Sequence, residues 1–172
     1  MSTAAVVNRP DRTLIAALSL LSAALFDLLP LPDPSGQWPA PSFVLCVLFY
    51  WTLARPVGLP ALLLLALGIL LDATSGMPPG PTAVALLGAR AASRALRRVL
   101  LEQPPFVIWS GFLLIATLYQ AIRWALASLA LGHIFPLRLS LLELVSSLVA
   151  YPIVAALLFR LCPKVRRRAS RA

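Results

Sequence analysis

Histidine, cysteine and acidic residues are scarce in this chain of 172 residues, which excludes several kinds of site. The single histidine, His133, cannot form a histidine-based metal site or a catalytic triad by itself. The two cysteines have no CxxC spacing, so a disulfide framework is not indicated. Neither a GxSxG elbow nor a phosphate-binding loop occurs in the sequence. We therefore expect no enzymatic activity, no cofactor and no bound metal.

Charge is sparse as well, because only 12% of the residues are charged while 60% are hydrophobic. Soluble domains contain roughly 45–50% apolar residues, and the mean hydropathy of this chain is +0.88. Lipid is the expected solvent for so much apolar surface. The net charge of +9 comes from basic clusters between apolar runs and near the C-terminus. No recognition motif accompanies them, so we expect contact with anionic lipids and not with nucleic acid.

Six apolar segments follow one another along the chain, and prolines separate them. They predict an all-α integral membrane protein, a six-helix bundle that forms a single multi-pass domain over residues 1–172. The predicted spans are residues 13–31, 42–54, 59–73, 82–101, 106–131 and 139–161. The fourth segment has a second interpretation, because its four arginines would also suit a helix that lies in the membrane interface.

The basic residues predict how this bundle is oriented. With six spans, thirteen of the fifteen Lys and Arg residues fall on the side of the two termini. Only Arg138 falls on the opposite side, and Arg123 lies within the fifth span. Because Lys and Arg are enriched in cytoplasmic connections, both termini are expected in the cytoplasm.

Four ionisable residues then fall at one depth, near the outer ends of four spans, and we call Asp27, Asp72, Arg123 and Glu143 the outer polar layer. Charges inside a membrane are costly and usually face water or the interior of the bundle. Three interpretations are open: Asp27 and Asp72 reach headgroup water, Arg123 forms a structural ion pair with one or more of the three acids, or the layer lines a ligand-binding cavity. Asp72 is one candidate partner of Arg123. Asp72 can also accept hydrogen bonds from N–H groups of the turn at 75–81.

A basic face is predicted on the fourth segment, where four arginines fall on one side of a helix. Its members are Arg90, Arg94, Arg97 and Arg98. We expect this face to meet anionic headgroups or an acidic cytoplasmic partner. Tyr50, Trp51 and Trp109 lie near predicted inner ends of spans, which favours a belt of aromatic residues at the membrane interface.

The fifth segment offers small and polar side chains for contact with another helix. The candidates are Gly111, Gln120, Ala121 and Ala125. Helices associate in lipid through close packing of small residues and through side-chain hydrogen bonds. The same residues could instead pack within the bundle.

Two stretches, PAPSFVLCVLFYWTLARP at 39–56 and LALGILLDATSGMPPGPTAVALL at 65–87, resemble the rod shape-determining MreD family. That family has a proline-led second helix that ends in a Tyr-Trp pair and a proline. A Gly-x-x-x-Asp helix end and a glycine-containing turn follow. The matching residues here are Pro41, Tyr50, Trp51, Pro56, Gly68, Asp72, Gly76 and Gly80. The fourth helix departs from the pattern, since it is poorer in large apolar residues.

This resemblance implies a non-enzymatic multi-pass protein of the bacterial inner membrane that belongs to the elongation complex. Such a protein would bind the single-span protein MreC and act with MreB, RodA and a class B penicillin-binding protein to direct lateral peptidoglycan synthesis. A homo-oligomer is left open. The family is also similar to the six-helix substrate-binding subunits of energy-coupling-factor transporters. The alternative function is therefore a small-molecule-binding subunit of a vitamin-type transporter.

Overall fold

The computed structural model describes residues 10–29, 41–54, 60–76, 78–101, 103–132 and 137–161. Within these ranges the chain forms six α-helices and no strand. The helices are α1 (Pro10–Leu28), α2 (Phe43–Ala54), α3 (Ala61–Thr74), α4 (Pro81–Leu100), α5 (Pro105–Leu131) and α6 (Leu137–Leu161). Each helix falls on one predicted segment, with ends that differ by no more than one helical turn. The prediction of an all-helical fold is confirmed for the described part of the chain.

The second and fourth helices lie at the centre of the bundle. Helix α2 packs against α1, α4 and α6, while α4 packs against α2, α3 and α5. Helix α5 also contacts α6, and α1 contacts α3. The sequence of α2 is apolar around its whole circumference, and every residue from Val44 to Leu53 is buried. An α-helix that is apolar on all sides is expected to be enclosed by other elements.

Small side chains bring α4 to the centre. The residues buried along this helix include Ala83, Ala85, Ala89 and Ser93. Small residues allow helix backbones to approach closely, and such packing is a main source of helix association in lipid. The shortage of large apolar residues in the fourth segment therefore suits a helix that packs closely against three neighbours.

Helices α3 and α4 approach closely at Gly68, the glycine of the Gly-x-x-x-Asp pattern. A Cβ atom at Gly68 would overlap the backbone of Ala83 and would lie 2.8 Å from the Ala83 Cβ. Because backbone atoms cannot rotate away as a side chain can, a larger residue here would force the two helices apart.

Gly68→Ala is therefore expected to lower the free energy of unfolding by about 1–3 kcal/mol, a typical cost of overpacking. Gly88→Ala in α4 is the matched control. A Cβ atom there would meet Cδ1 of Ile122 at 2.9 Å, and this end of a flexible side chain can move aside. Thermal unfolding in detergent compares the two variants. Equal melting temperatures would contradict the assigned packing of Gly68 against Ala83.

Two of the described helices are long and apolar enough for each to cross a membrane alone, Pro105–Leu131 and Leu137–Arg160. The apolar parts of α1, α2 and α3 are shorter, at Thr13–Leu28, Phe43–Leu53 and Ala61–Thr74. A lone span needs roughly 20 residues. Length and composition by themselves therefore assign two candidate spans to the described part of the chain.

Candidate functional site

Asp72 lies two residues before the end of α3, and its side chain is buried at 1% exposure. Its carboxylate accepts hydrogen bonds from the backbone N–H groups of Gly80 (2.9 Å) and Thr82 (3.1 Å). These residues begin α4, where Pro81 has no N–H and Gly80 has no side chain that could serve as a cap. The first N–H groups of a helix need acceptors, and the positive end of its dipole favours an anion. Asp72 thus caps α4 from the end of α3.

Asp27 makes the same arrangement in the first pair of helices. It lies one residue before the end of α1. Its two carboxylate oxygens accept hydrogen bonds from the N–H groups of Phe43 (2.8 Å) and Val44 (3.2 Å) at the start of α2. The two helix pairs, α1–α2 and α3–α4, therefore share one arrangement. In each pair, an aspartate near the end of the first helix caps the N-terminus of the second helix.

Arg123 of α5 and Glu143 of α6 form an ion pair beside these caps. The Nη1 atom of Arg123 donates to both carboxylate oxygens of Glu143, at 2.5 and 2.6 Å. The two side chains are only 19% and 15% exposed. In a pair that is shielded to this degree, removing one partner leaves an uncompensated charge, which costs more than it does at the surface.

This geometry distinguishes the interpretations of the outer polar layer. The ion pair of Arg123 is present, with Glu143 as its partner. The supposed pairing with Asp72 is wrong, because the Asp72 carboxylate accepts backbone N–H groups of α4. The expectation that Asp72 reaches headgroup water is also wrong, since the side chain is buried. Helix packing explains the choice of partner: α5 packs against α6, whereas α3 packs mainly against α4 and α1.

Two serines connect the start of α2 to the backbone of Glu143 on α6. Neither serine was predicted from the sequence. The Ser42 N–H donates to Oγ of Ser147 at 2.9 Å. That hydroxyl in turn donates to the Glu143 backbone carbonyl at 2.7 Å. Isolated serines in apolar segments carried no signal that could have identified this connection.

A partly open cavity of about 180 Å³ lies among these groups. Its lining residues are Asp27, Pro41, Ser42, Leu71, Ser75, Thr82, Tyr119, Arg123 and Glu143. The structure thus brings three members of the outer polar layer, Asp27, Arg123 and Glu143, to one cavity. Asp72 does not line the cavity but accepts the backbone N–H of Thr82, which does. In the described residues no group of three or more His, Cys, Asp or Glu side chains could hold a metal ion.

The basic face of α4 does not point outward as a unit. Arg94 and Arg98 are exposed, whereas Arg90 and Arg97 are partly buried. The Nε–H of Arg97 donates to the Leu53 carbonyl at the end of α2, at 3.2 Å. The last carbonyls of a helix have no intrahelical donor, and a basic side chain commonly satisfies them. Arg97 therefore joins α4 to the end of α2.

The Tyr-Trp pair of the family-like motif is inside the bundle. Tyr50 is 9% exposed and Trp51 is 4% exposed, so the prediction that this pair belongs to an interfacial belt is wrong. The Trp51 indole N–H donates to Oγ of Ser19 at 2.8 Å, which connects α2 to α1. A buried Trp usually finds such a partner for its N–H.

Two glycines of the motif permit the turn between α3 and α4. Gly76 has a φ of 66° and Gly80 a φ of 129°, values that residues with a Cβ rarely adopt. Pro41 lines the cavity at the start of α2. Pro56, the last motif residue of that stretch, lies outside the described residues.

The four candidate contact residues on α5 separate into two groups. Gly111 and Gln120 are buried, and a Cβ atom at Gly111 would meet Cδ1 of Leu100 at 2.8 Å. These two residues pack within the bundle and offer no surface to a partner. Ala121 and Ala125 are exposed on the same helix.

Trp109 of α5 is partly buried and makes a contact with α6 that its place near a predicted inner end did not indicate. Pro152 inside α6 has no N–H, so the Leu148 carbonyl one turn earlier loses its intrahelical donor. The Trp109 indole N–H donates to this carbonyl at 3.3 Å. The internal proline was the available signal, because it predicts a carbonyl that needs a donor from a neighbouring helix.

In a comparison with protein-family models, the model described as rod shape-determining protein MreD matches residues 11–161. Searches of curated proteins and of solved structures found no match. The predicted likeness to energy-coupling-factor transporter subunits therefore receives no support from a solved structure.

Proposed function

The chain belongs to the MreD family of rod shape-determining membrane proteins, and on this basis we propose that it is a scaffold of the bacterial elongation complex. Its direct partner is MreC, which it binds through helix contact in the membrane. Together with MreB, RodA and a class B penicillin-binding protein, it helps to direct lateral peptidoglycan synthesis. The family is known for shape determination and not for an enzymatic activity, which agrees with a scaffold.

The proposed topology has six spans in the inner membrane, with both termini in the cytoplasm. The contacts between helix ends support it. Arg97 near the end of α4 reaches Leu53 near the end of α2, so these two ends lie together. The caps by Asp27 and Asp72 bring the ends of α1 and α3 to the starts of α2 and α4. Helix ends that alternate between the two sides of the bundle are expected when successive helices cross the membrane in opposite directions. Helix α2 is short, but its neighbours α1, α4 and α6 shield it from lipid.

The observation that carries MreC binding is an exposed face of α5 with small side chains. Leu114, Thr117, Ala121 and Ala125 lie on one side of this helix, and all four are exposed. Because lipid and apolar side chains are equally apolar, a helix gains little from hydrophobicity alone when it binds another helix. Small residues favour binding since they allow the two backbones to approach.

Replacing Ala121 and Ala125 by Leu is expected to reduce co-purification with MreC about tenfold, the effect of losing about 1–2 kcal/mol of helix contact. The variant should remain folded, because both alanines are exposed. Ala130→Leu is the matched control, since Ala130 is an exposed alanine on the opposite side of α5.

Co-purification from detergent extracts, quantified against the amount of folded protein, measures the difference. A loss of MreC that is equal in the Ala130→Leu control would contradict the assigned face. A double variant that no longer folds would show that these alanines pack inside the bundle.

The basic face contributes a second contact, with anionic lipid at the cytoplasmic surface. Arg94 and Arg98 carry it, since both are exposed near the end of α4. Each basic residue near an anionic membrane surface contributes about 1 kcal/mol. This contact fixes the inner end of α4 without requiring a soluble domain.

The alternative, a vitamin-type transporter subunit, is less well supported by the site. The cavity of about 180 Å³ is smaller than the roughly 300–1,000 Å³ typical of pockets for drug-sized molecules. Its lining is mainly polar and charged, whereas such pockets are mainly apolar. Size and lining therefore favour the scaffold as the primary function.

A further inference from the structure

The cavity beside the outer polar layer is rich in hydrogen-bond acceptors. Carboxylates of Asp27 and Glu143 line it, together with hydroxyl groups of serine, threonine and tyrosine residues. Each carboxylate oxygen has two lone pairs. The hydrogen bonds to Phe43, Val44 and Arg123 use one lone pair on each oxygen. The lining thus retains acceptors for a further donor.

The charge of the lining selects the sign of a ligand. Two carboxylates, those of Asp27 and Glu143, face one guanidinium, that of Arg123, and Arg123 already donates to Glu143. The carboxylate of Asp27 accepts only backbone N–H groups among the described residues, so it is the lining acid that has no basic side chain as a partner. A cation can serve as its counter-ion, which favours a cationic ligand over an anionic one.

The position and size of the cavity limit what this cation can be. Asp27 and Asp72 lie within two residues of the ends of α1 and α3. In the proposed topology, these helix ends lie where lipid headgroups begin. A volume of about 180 Å³ admits a small headgroup but not a large organic molecule. A primary ammonium group donates three hydrogen bonds and accepts none, which matches a lining of acceptors.

We propose that this cavity binds a primary ammonium group, carried by an ethanolamine lipid headgroup or by a small soluble amine. The bound group would lie against the carboxylates and hydroxyls that connect α1, α2, α4, α5 and α6, and would stabilise their packing. This inference rests on the membrane placement in the proposed function but not on binding to MreC. A negative result in the co-purification experiment with MreC would therefore not contradict it.

The test compares lipids that differ in one group. Choline lipid carries the same charge as ethanolamine lipid, but its quaternary nitrogen has no N–H to donate. The purified full chain is placed in nanodiscs of choline lipid, and part of that lipid is then replaced by ethanolamine lipid. We expect the melting temperature to rise by about 2–4 °C. Soluble ethanolamine and soluble choline, added to choline-lipid nanodiscs, distinguish a free amine from a headgroup as the source.

Two variants locate the effect. Thr82→Val removes a lining hydroxyl but keeps the backbone N–H that Asp72 accepts, and Glu143→Gln removes a lining charge. Both should abolish the rise in melting temperature. Thr117→Val is the control, because Thr117 is exposed on α5 and its hydroxyl bonds to its own helix at Leu113. The proposal would be overturned if neither ethanolamine lipid nor soluble ethanolamine raised the melting temperature above that measured with choline lipid and soluble choline. It would also be overturned if the rise persisted in Thr82→Val.

Discussion

Asp72→Ala is expected to lower the free energy of unfolding by about 3–5 kcal/mol. The carboxylate accepts two backbone hydrogen bonds at the start of α4, and a bond to a charged group contributes about 1.5–3 kcal/mol. Because the side chain is 1% exposed, water cannot replace it without entering the bundle. Asp72→Asn retains one acceptor oxygen and should lose about half as much.

Denaturation in detergent measures this loss, and rescue of rod shape in a depleted strain measures its consequence. Thr74→Val is the control on the same helix, since Thr74 is exposed and its hydroxyl bonds to its own backbone at Leu70 and Leu71. An Asp72→Ala variant as stable as Thr74→Val would show that the start of α4 does not need this cap. A variant that is stable yet fails to restore rod shape would assign Asp72 to a partner or ligand site.

The helices were predictable because membrane segments are read from local properties. Apolar runs end where prolines and glycines occur, and α3 ends in the structure next to Ser75 and Gly76, as the turn residues indicate. The position of α4 at the centre was not predictable in this way. Its burial depends on small residues that contact three neighbours, and a hydropathy pattern does not distinguish a small residue that faces protein from one that faces lipid.

The common level of the charged residues along the helices was also predictable, but the partner of each residue was not. Counting along the predicted segments placed Asp72 and Arg123 at one level, and the structure brings Asp27, Arg123 and Glu143 to one cavity. Pairing also depends on the direction in which each side chain points around its helix and on which helices are adjacent. Arg123 faces α6, so the available carboxylate is Glu143.

The two aspartates show how much of a motif can be read from the sequence. Asp72 precedes a turn of glycine and proline, and this composition suggested that its carboxylate would accept N–H groups there. Asp27 precedes a longer connection, and the groups that it accepts, those of Phe43 and Val44, lie sixteen and seventeen positions later. A cap between residues so far apart in the sequence forms only when the two helices pack together, so no short sequence pattern predicts it.

Breaking the ion pair between α5 and α6 is the other change with a large expected effect. Arg123→Gln or Glu143→Gln should each lower the free energy of unfolding by about 3–5 kcal/mol, because each leaves a shielded charge without its partner. The double variant should recover part of the loss. Residues in direct contact show interaction free energies of about 0.5–3 kcal/mol in a double-mutant cycle.

The matched cycle combines Asp72→Asn with Arg123→Gln. These residues share the outer polar layer, but the carboxylate of Asp72 accepts backbone N–H groups and does not bond to Arg123. Their losses should therefore add to within about 0.3–0.5 kcal/mol, as for independent sites. Additive losses for Arg123 and Glu143, with coupling between Arg123 and Asp72, would reverse the pairing seen in the structure. Coupling confined to Arg123 and Glu143 would show that this pair joins α5 to α6, while the aspartates close the helix pairs independently.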